Sequence, residues 1–134
     1  MGILKRILLF FLGGSAYVTL ERLWRGWSHI TMFFAGGACF LLLGKLNTIG
    51  LPRKLPLRGV AGAGIITMVE LTTGLLFNRS YTVWDYRRQP LNFLGQICLP
   101  FSLLWIPISL FAMGLYTRAD RLISSSLESA KGRR

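Results

Sequence analysis

The chain has 134 residues, 52% of them hydrophobic, and a net charge of +11 from 16 basic and five acidic side chains. A soluble domain of this length needs far more polar surface to cover its core, so the composition points to a single membrane-embedded domain. The basic residues punctuate the ends of apolar runs and form no patch interleaved with aromatics, which argues against nucleic acid as a partner.

Four apolar spans succeed one another, at about residues 4–20, 31–46, 57–77 and 91–116, with a short tail over 117–134. Each is near the roughly 20 residues that a helix needs to cross the hydrocarbon core, the second being the shortest. Only helices and closed barrels satisfy their backbone in lipid, and none of these runs alternates as a strand would. The expected fold is therefore all-α: a polytopic protein with four transmembrane helices, embedded in the lipid bilayer of the cell membrane.

In the first span, Lys5 and Arg6 followed by Ile7 to Leu12 mimic a secretory signal, with Gly14-Ser15-Ala16 as a cleavage site. The apolar run continues to Leu20 and more spans follow, so an uncleaved first helix is expected. The second span carries Gly36, Gly37 and Gly44, small residues that let neighbouring backbones approach. A connector with Pro52 and Pro56 among basic residues leads to the third span. There Gly59, Ala63, Thr67, Glu70, Thr73 and Gly74 recur at three- and four-residue spacing, as one small and polar stripe on a helix. On the fourth span, read as one helix, Asn92, Gly95, Gln96, Ser102 and Ser109 fall within an arc of about 140°. Pro100 and Pro107 are expected to kink it. Beyond it, Leu122, Ile123 and Leu127 among polar residues predict a short surface helix that frays into Lys131–Arg134. Cys39 and Cys98 lie within apolar spans and read as packing residues.

The basic residues also orient the chain. Lys5, Arg6, Lys45, Arg53, Lys54, Arg58, Arg118, Arg121, Lys131, Arg133 and Arg134 fall on one side, against Arg22, Arg25, Arg79, Arg87 and Arg88 on the other. The positive-inside rule then predicts that both termini are cytoplasmic. An internal repeat is faintly legible as well. Gly13-Gly14 precede Glu21 as Gly62 and Gly64 precede Glu70, and each half then has an outer tryptophan and a Gly-x-x-Cys, at Gly36–Cys39 and Gly95–Cys98. Two hairpins in the same orientation would be related by an axis along the membrane normal.

The candidate site lies near the outer face. Glu70 sits two turns below the end of its span, about 10 Å deep at 1.5 Å per residue. A carboxylate at that depth is costly and ordinarily faces a protein interior or a wet cavity. Gln96 is expected at a similar depth, with Asn92 nearby. Glu21, Arg22, Arg25 and His29 surround the first outer turn, and Trp84 and Asp85 stand in the second. Gln96, Thr67, Thr73 and Arg25 or Arg22 are the expected partners of Glu70. Either Glu70 is a buried ion-paired or hydrogen-bonded acid that fixes helix register, or it binds a proton or cation. Trp84 is expected to pack back over the bundle near Gln96, and Asp85 to pair with Arg79, Arg87 or Arg88. His29 is the one histidine and no His/Cys cluster has ligand spacing, so no metal and no cofactor is expected. The motifs of ATPases, serine hydrolases and zinc proteases are missing too.

The run Val83-Trp84-Asp85-Tyr86, Pro90, Asn92, Gly95-Gln96-Ile97-Cys98 and Phe101-Ser102-Leu103-Leu104-Trp105 resembles the ABC-transporter type IV, or CmpB-like, family. The first half agrees through Glu21, Trp24-Arg25-Gly26, Ser28-His29, Met32-Phe33 and Gly36-Gly37; Glu70 and Gly74 match as well. Arg87 departs from the pattern, which has a small polar residue there. The resemblance implies a membrane protein concerned with transport. Three functions follow for test. The first is a small transporter or permease-like protein, working as a homo-oligomer or with a partner membrane protein. The second is a structural or regulatory protein whose polar stripe binds a partner helix. The third is a membrane enzyme that acts on lipid headgroups with Glu70 or Asp85 as base.

Overall fold

A computed structural model describes residues 2–49 and 54–133; Pro52 and Arg53 of the expected connector, and Arg134, lie outside the described residues. Among the described residues the helices are α1 (Gly2–Arg25), α2 (Ile30–Thr48), α3 (Leu55–Phe77) and α4 (Leu99–Gly132). All four are long and apolar enough to cross a membrane. At 1.5 Å per residue they measure about 36, 29, 35 and 51 Å, against a hydrocarbon core of about 30 Å. Their outer faces present Ile3, Phe11, Phe34, Val60, Met68, Leu103 and Phe111, each more than half exposed. Water would not tolerate so continuous an apolar surface, whereas lipid tails solvate it. The chain is a multi-pass, all-α membrane protein.

Sequence-adjacent helices pair most closely, α1 with α2 and α3 with α4, and α2 touches the other pair as well. Glycines make the first pair possible. A Cβ at Gly13 would strike Phe40, one at Gly14 Phe33, one at Gly36 Tyr17 and one at Gly37 Phe10, so each ring sits in a notch on the facing helix. Gly44 receives the Tyr116 ring of α4 in the same manner. Four members of the expected stripe of α3, Gly59, Ala63, Glu70 and Gly74, are buried together with Gly62 and Ile66, while Thr67 and Thr73 are half-buried beside them. Ser109 of α4 settles against Gly62 and donates to the Gly59 carbonyl at 3.2 Å. Thr67 Oγ1 donates to Ser102 Oγ at 3.1 Å about two turns further along. At the end of the bundle where the termini lie, Lys5 Nζ meets Asp120 at 2.7 Å and ties α1 to α4. Arg58 donates to Asn47 there, linking α3 to α2.

The helix boundaries explain themselves locally, and one departs from expectation. α1 ends where Gly26 adopts a φ of +82° and its N–H bonds the Arg22 carbonyl, as a left-handed glycine after a helix does. His29 caps α2, accepting from the Thr31 N–H at Nδ1. The fourth helix, however, begins at Leu99, and not near residue 91. Asn92–Phe93 (β1) and Ile97–Cys98 (β2) form a small antiparallel hairpin in its place. Leu94 and Gly95 in its three-residue loop, 94–96, have left-handed φ of +54° and +67°, and the Gln96 N–H bonds the Phe93 carbonyl at 3.0 Å across the turn. Asn92, Gly95 and Gln96 therefore share no helix face with Ser102 and Ser109. Pro100 falls in the first turn of α4, where its missing N–H costs nothing, and does not kink the helix. Pro107 does lie inside α4. The expected separate tail helix is the continuation of α4 to Gly132. The repeat fares poorly: Gly36–Cys39 is helical, while Gly95–Cys98 runs through the hairpin into β2.

Candidate functional site

The long connection over residues 78–98 closes one end of the bundle, and Asn78 organises it. This side chain, fully buried directly after α3, uses both ends of its amide. Nδ2 donates to the Trp84 carbonyl at 2.7 Å and to Gln96 Oε1 at 3.0 Å; Oδ1 accepts from the N–H groups of Val83 at 2.9 Å and Trp84 at 3.3 Å. Gln96 reciprocates, its Nε2 donating to the Asn78 carbonyl at 3.0 Å, and Trp84 Nε1 donates to the Gln96 carbonyl at 2.9 Å. Gly74 makes room, because a Cβ there would collide with the Gln96 amide. Trp84 thus packs back over the bundle beside Gln96, as expected from the sequence. Tyr81, Leu91 and Leu94 hold left-handed φ of 52–58° in this one segment, a conformation that costs each about 1–2 kcal/mol. The hydrogen-bond network holds that strain in place.

Glu70 faces inward beneath this connection and is 7% exposed. Its partners are not the expected ones. Tyr86 donates its hydroxyl to Oε2 at 3.0 Å, and Trp105 Nε1 approaches Oε1 at 3.4 Å. Tyr86 is fixed in turn by stacking on Phe101, with ring centroids 4.9 Å apart. Gln96 is occupied by Asn78, and Thr67 by Ser102. Arg25 bonds Glu21 at 3.0 Å and the Val83 carbonyl at 2.6 Å, stapling α1 to the long connection. Among the described residues no basic side chain forms a salt bridge with Glu70.

Glu70 lines a cavity of about 400 Å³ between the four helices. Its walls are apolar, with Phe40, Leu43, Ile66 and Trp105 among them, and Glu70 is the one carboxylate in the lining. Ala16 and Leu20 of α1 and Phe111 of α4 line it and are exposed, so its open side lies between α1 and α4, at the level of the lipid tails. That volume suits a small organic molecule.

The remaining expected site residues lie elsewhere. Glu21, Arg25 and Ser28 form a cluster at the end of α1, where the Arg25 guanidinium also covers the Trp27 ring at 3.9 Å. His29 is spent on capping α2, bonding Thr31, and is exposed. Asn92 braces the hairpin by donating to the Gln89 carbonyl at 3.0 Å and accepting from the Gly95 N–H at 3.1 Å. Asp85 pairs with Arg87 at 2.8 Å on the surface. The Arg87 side chain, by its hydrogen bonds to Asp85, holds that carboxyl down to about 2. Arg87 also covers the Tyr81 ring at 4.1 Å. Among the described residues no group of three His, Cys, Asp or Glu side chains is arranged to hold a metal ion. Sequence reasoning passed over Asn78, Tyr86 and Trp105 as site residues. The signal for Asn78 was an amide placed directly after the apolar last turn of α3, Leu75-Leu76-Phe77, and for Tyr86 and Trp105 a polar atom on an aromatic ring near a buried acid.

These features define a four-helix membrane protein with a braced connection at one end of the bundle and an acid in an apolar inter-helix cavity. Residues 19–130 match the family described as "Putative ABC-transporter type IV", and the chain belongs to that family. No curated protein and no solved structure matches it.

Proposed function

We propose that this protein is a small permease-like transporter whose binding site is the cavity between the helices, with Glu70 as its functional acid. The observation that carries the reading is a deeply placed carboxylate in the wall of a cavity of about 400 Å³, held by two neutral donors and, among the described residues, salt-bridged to no basic side chain. A purely structural acid at such depth is ordinarily neutralised by a buried partner, because its desolvation is otherwise uncompensated. The cavity forms within one chain. Assembly as a homo-oligomer, or with a partner membrane protein, would serve to complete a path across the bilayer. We place the protein in the cell membrane with both termini cytoplasmic, from the distribution of basic residues.

The test is uptake into liposomes containing only this protein, with a panel of hydrophobic cations, hydrophobic anions and neutral aromatics. Movement of at least one class above protein-free liposomes, lost in Glu70→Gln, is the expected result. The amide keeps an acceptor and adds donors, so packing should survive the change. Equal uptake by both proteins above protein-free liposomes keeps transport and removes Glu70 as its functional acid, whereas no uptake of any class refutes the transport reading. A fixed membrane partner in the purified protein would then favour a structural or regulatory role.

A further inference from the structure

We infer that the occupant of the cavity is a hydrophobic organic cation, an apolar body carrying one positive charge, which reaches Glu70 sideways from the bilayer. The inference rests on the reading of the cavity as a binding site, and it concerns what binds, not whether the ligand is carried across. Three observations select this chemistry. First, among the described residues the ionisable charge in the lining is of one sign, because Glu70 is the only carboxylate there and neither Lys nor Arg lines the cavity. An anion would oppose ionisation of that carboxylate and a neutral molecule would give its charged form no countercharge, whereas a cation would stabilise it. Secondly, Tyr86 and Trp105 each give Glu70 one hydrogen bond, so two of the roughly four acceptor positions of a carboxylate remain for a ligand. Thirdly, Tyr17, Phe40, Trp84 and Trp105 also line the cavity, and their ring faces attract cations more than other apolar surface does.

The route follows from the same geometry. The exposed lining residues Ala16 and Phe111 lie within the apolar stretches of α1 and α4, with Leu20 at the end of the first span, which places the opening beside the lipid tails. The long connection closes the bundle end above Glu70, with Trp84 buried under it and Gln96 bonded to Asn78. A molecule already dissolved in the bilayer can approach through the gap beside α1, whereas a strongly hydrated ion would have to shed its water in lipid. Inorganic cations are therefore disfavoured and lipophilic ones favoured.

Equilibrium binding to the full chain in detergent micelles tests this, with radiolabelled tetraphenylphosphonium as the probe. Tetraphenylborate, which has nearly the same shape and the opposite charge, is the competitor. The expected result is saturable binding of one phosphonium per chain, not displaced by borate. Glu70→Gln should weaken it roughly tenfold or more, as the loss of one desolvated charge pair does. Ala16→Phe, which keeps the acid and fills the mouth of the cavity, should weaken it as well. Should Glu70→Gln fail to fold, the phosphonium–borate comparison on the native protein and the Ala16→Phe result decide the matter. Competition by borate as effective as by unlabelled phosphonium, or binding unaffected by Ala16→Phe, overturns the inference. So does phosphonium binding unchanged in a folded Glu70→Gln. The two readings fail separately. Glu70-dependent phosphonium binding without uptake into liposomes leaves the ligand class standing and removes transport. Glu70-dependent uptake of a neutral or anionic compound does the reverse.

Discussion

Replacing Asn78 by alanine removes the centre of the long connection without touching α3 or α4. The wild-type amide makes four hydrogen bonds in a fully buried position, to the Trp84 carbonyl, the Gln96 amide oxygen and the N–H groups of Val83 and Trp84. Three of them are 3.0 Å or shorter, and the fourth, at 3.3 Å, is weak. Leaving a buried donor or acceptor unsatisfied costs about 1–3 kcal/mol. Water admitted at this end of the bundle would recover part of that, so the lower end of the range applies to each of the three good bonds. The expected loss is about 3–5 kcal/mol, large for one side chain. The assay is reversible unfolding in mixed micelles, with near-ultraviolet circular dichroism and tryptophan emission followed together. Trp84 should lose its buried emission, because its backbone is tied to Asn78 and its indole to Gln96, which Asn78 also holds. A loss below about 1 kcal/mol with unaltered emission would mean that the apolar contacts of Val83 and Trp84 hold the connection and that the amide network does not.

Other outcomes follow from the same structure. Gly44→Ala should destabilise by about 1–3 kcal/mol in the same unfolding assay, because its Cβ would overlap the Tyr116 ring; Gly64→Ala, with nothing near its Cβ, is the matched control and should be neutral or slightly stabilising. The Asp85 carboxyl should titrate at about 2 by carbon-13 NMR, and in Arg87→Ser it should return toward the ordinary value of about 4. Its folded value is depressed, so whatever it contributes to stability is present above about pH 4 and disappears as the pH falls through 2. A reporter fused after Arg134 should be active only in its cytoplasmic form, and activity on the far side would invert the assignment of the long connection to the outer face.

The helices were legible in the sequence wherever lipid decided the matter. The largely apolar run of 21 residues between Pro56 and Asn78 leaves α3 little freedom, and its ends fall within two residues of the 57–77 expected from the sequence. The start of α4 was not legible from hydropathy, because Leu91, Phe93, Leu94 and Ile97 look the same to a hydropathy window in a hairpin as in a helix. The punctuation was nevertheless present. Gly95 needs a left-handed φ, and Pro100 fits best in the first turn of a helix, so together they argue for a start near Leu99. The acid at residue 70 was visible because charge in an apolar span is rare. Its partners were not, since contacts across 16 and 35 residues depend on how the long connection folds back. Tyr86 carried no such signal by itself, since nothing in the sequence shows that its ring stacks on Phe101 and leaves its hydroxyl to find an acceptor.

The extent of the family match separates two parts of the site. Residues 19–130 take in Glu70, both of its donors, and Asn78 with the whole long connection. Gly13, Ala16 and Tyr17, three of the four α1 residues in the cavity wall, precede the matched stretch, and the fourth, Leu20, lies at its start. The same division appears in the packing. α3, α4 and the long connection are held together by bonds such as Thr67 to Ser102 and Ser109 to Gly59. α1 packs on α2 through interdigitating rings, and is otherwise fastened near its ends, by Lys5 to Asp120 and by Arg25 to the Val83 carbonyl. Between those fastenings lies the open side of the cavity. The acid and its hydrogen-bond donors therefore sit on α3, α4 and the long connection, which are tied to one another by hydrogen bonds, as suits a group whose geometry must be kept. The exposed wall at the opening sits partly on α1, which gives Glu70 no hydrogen bond, so changes at Ala16 or Leu20 should alter which molecules fit without altering how Glu70 is held.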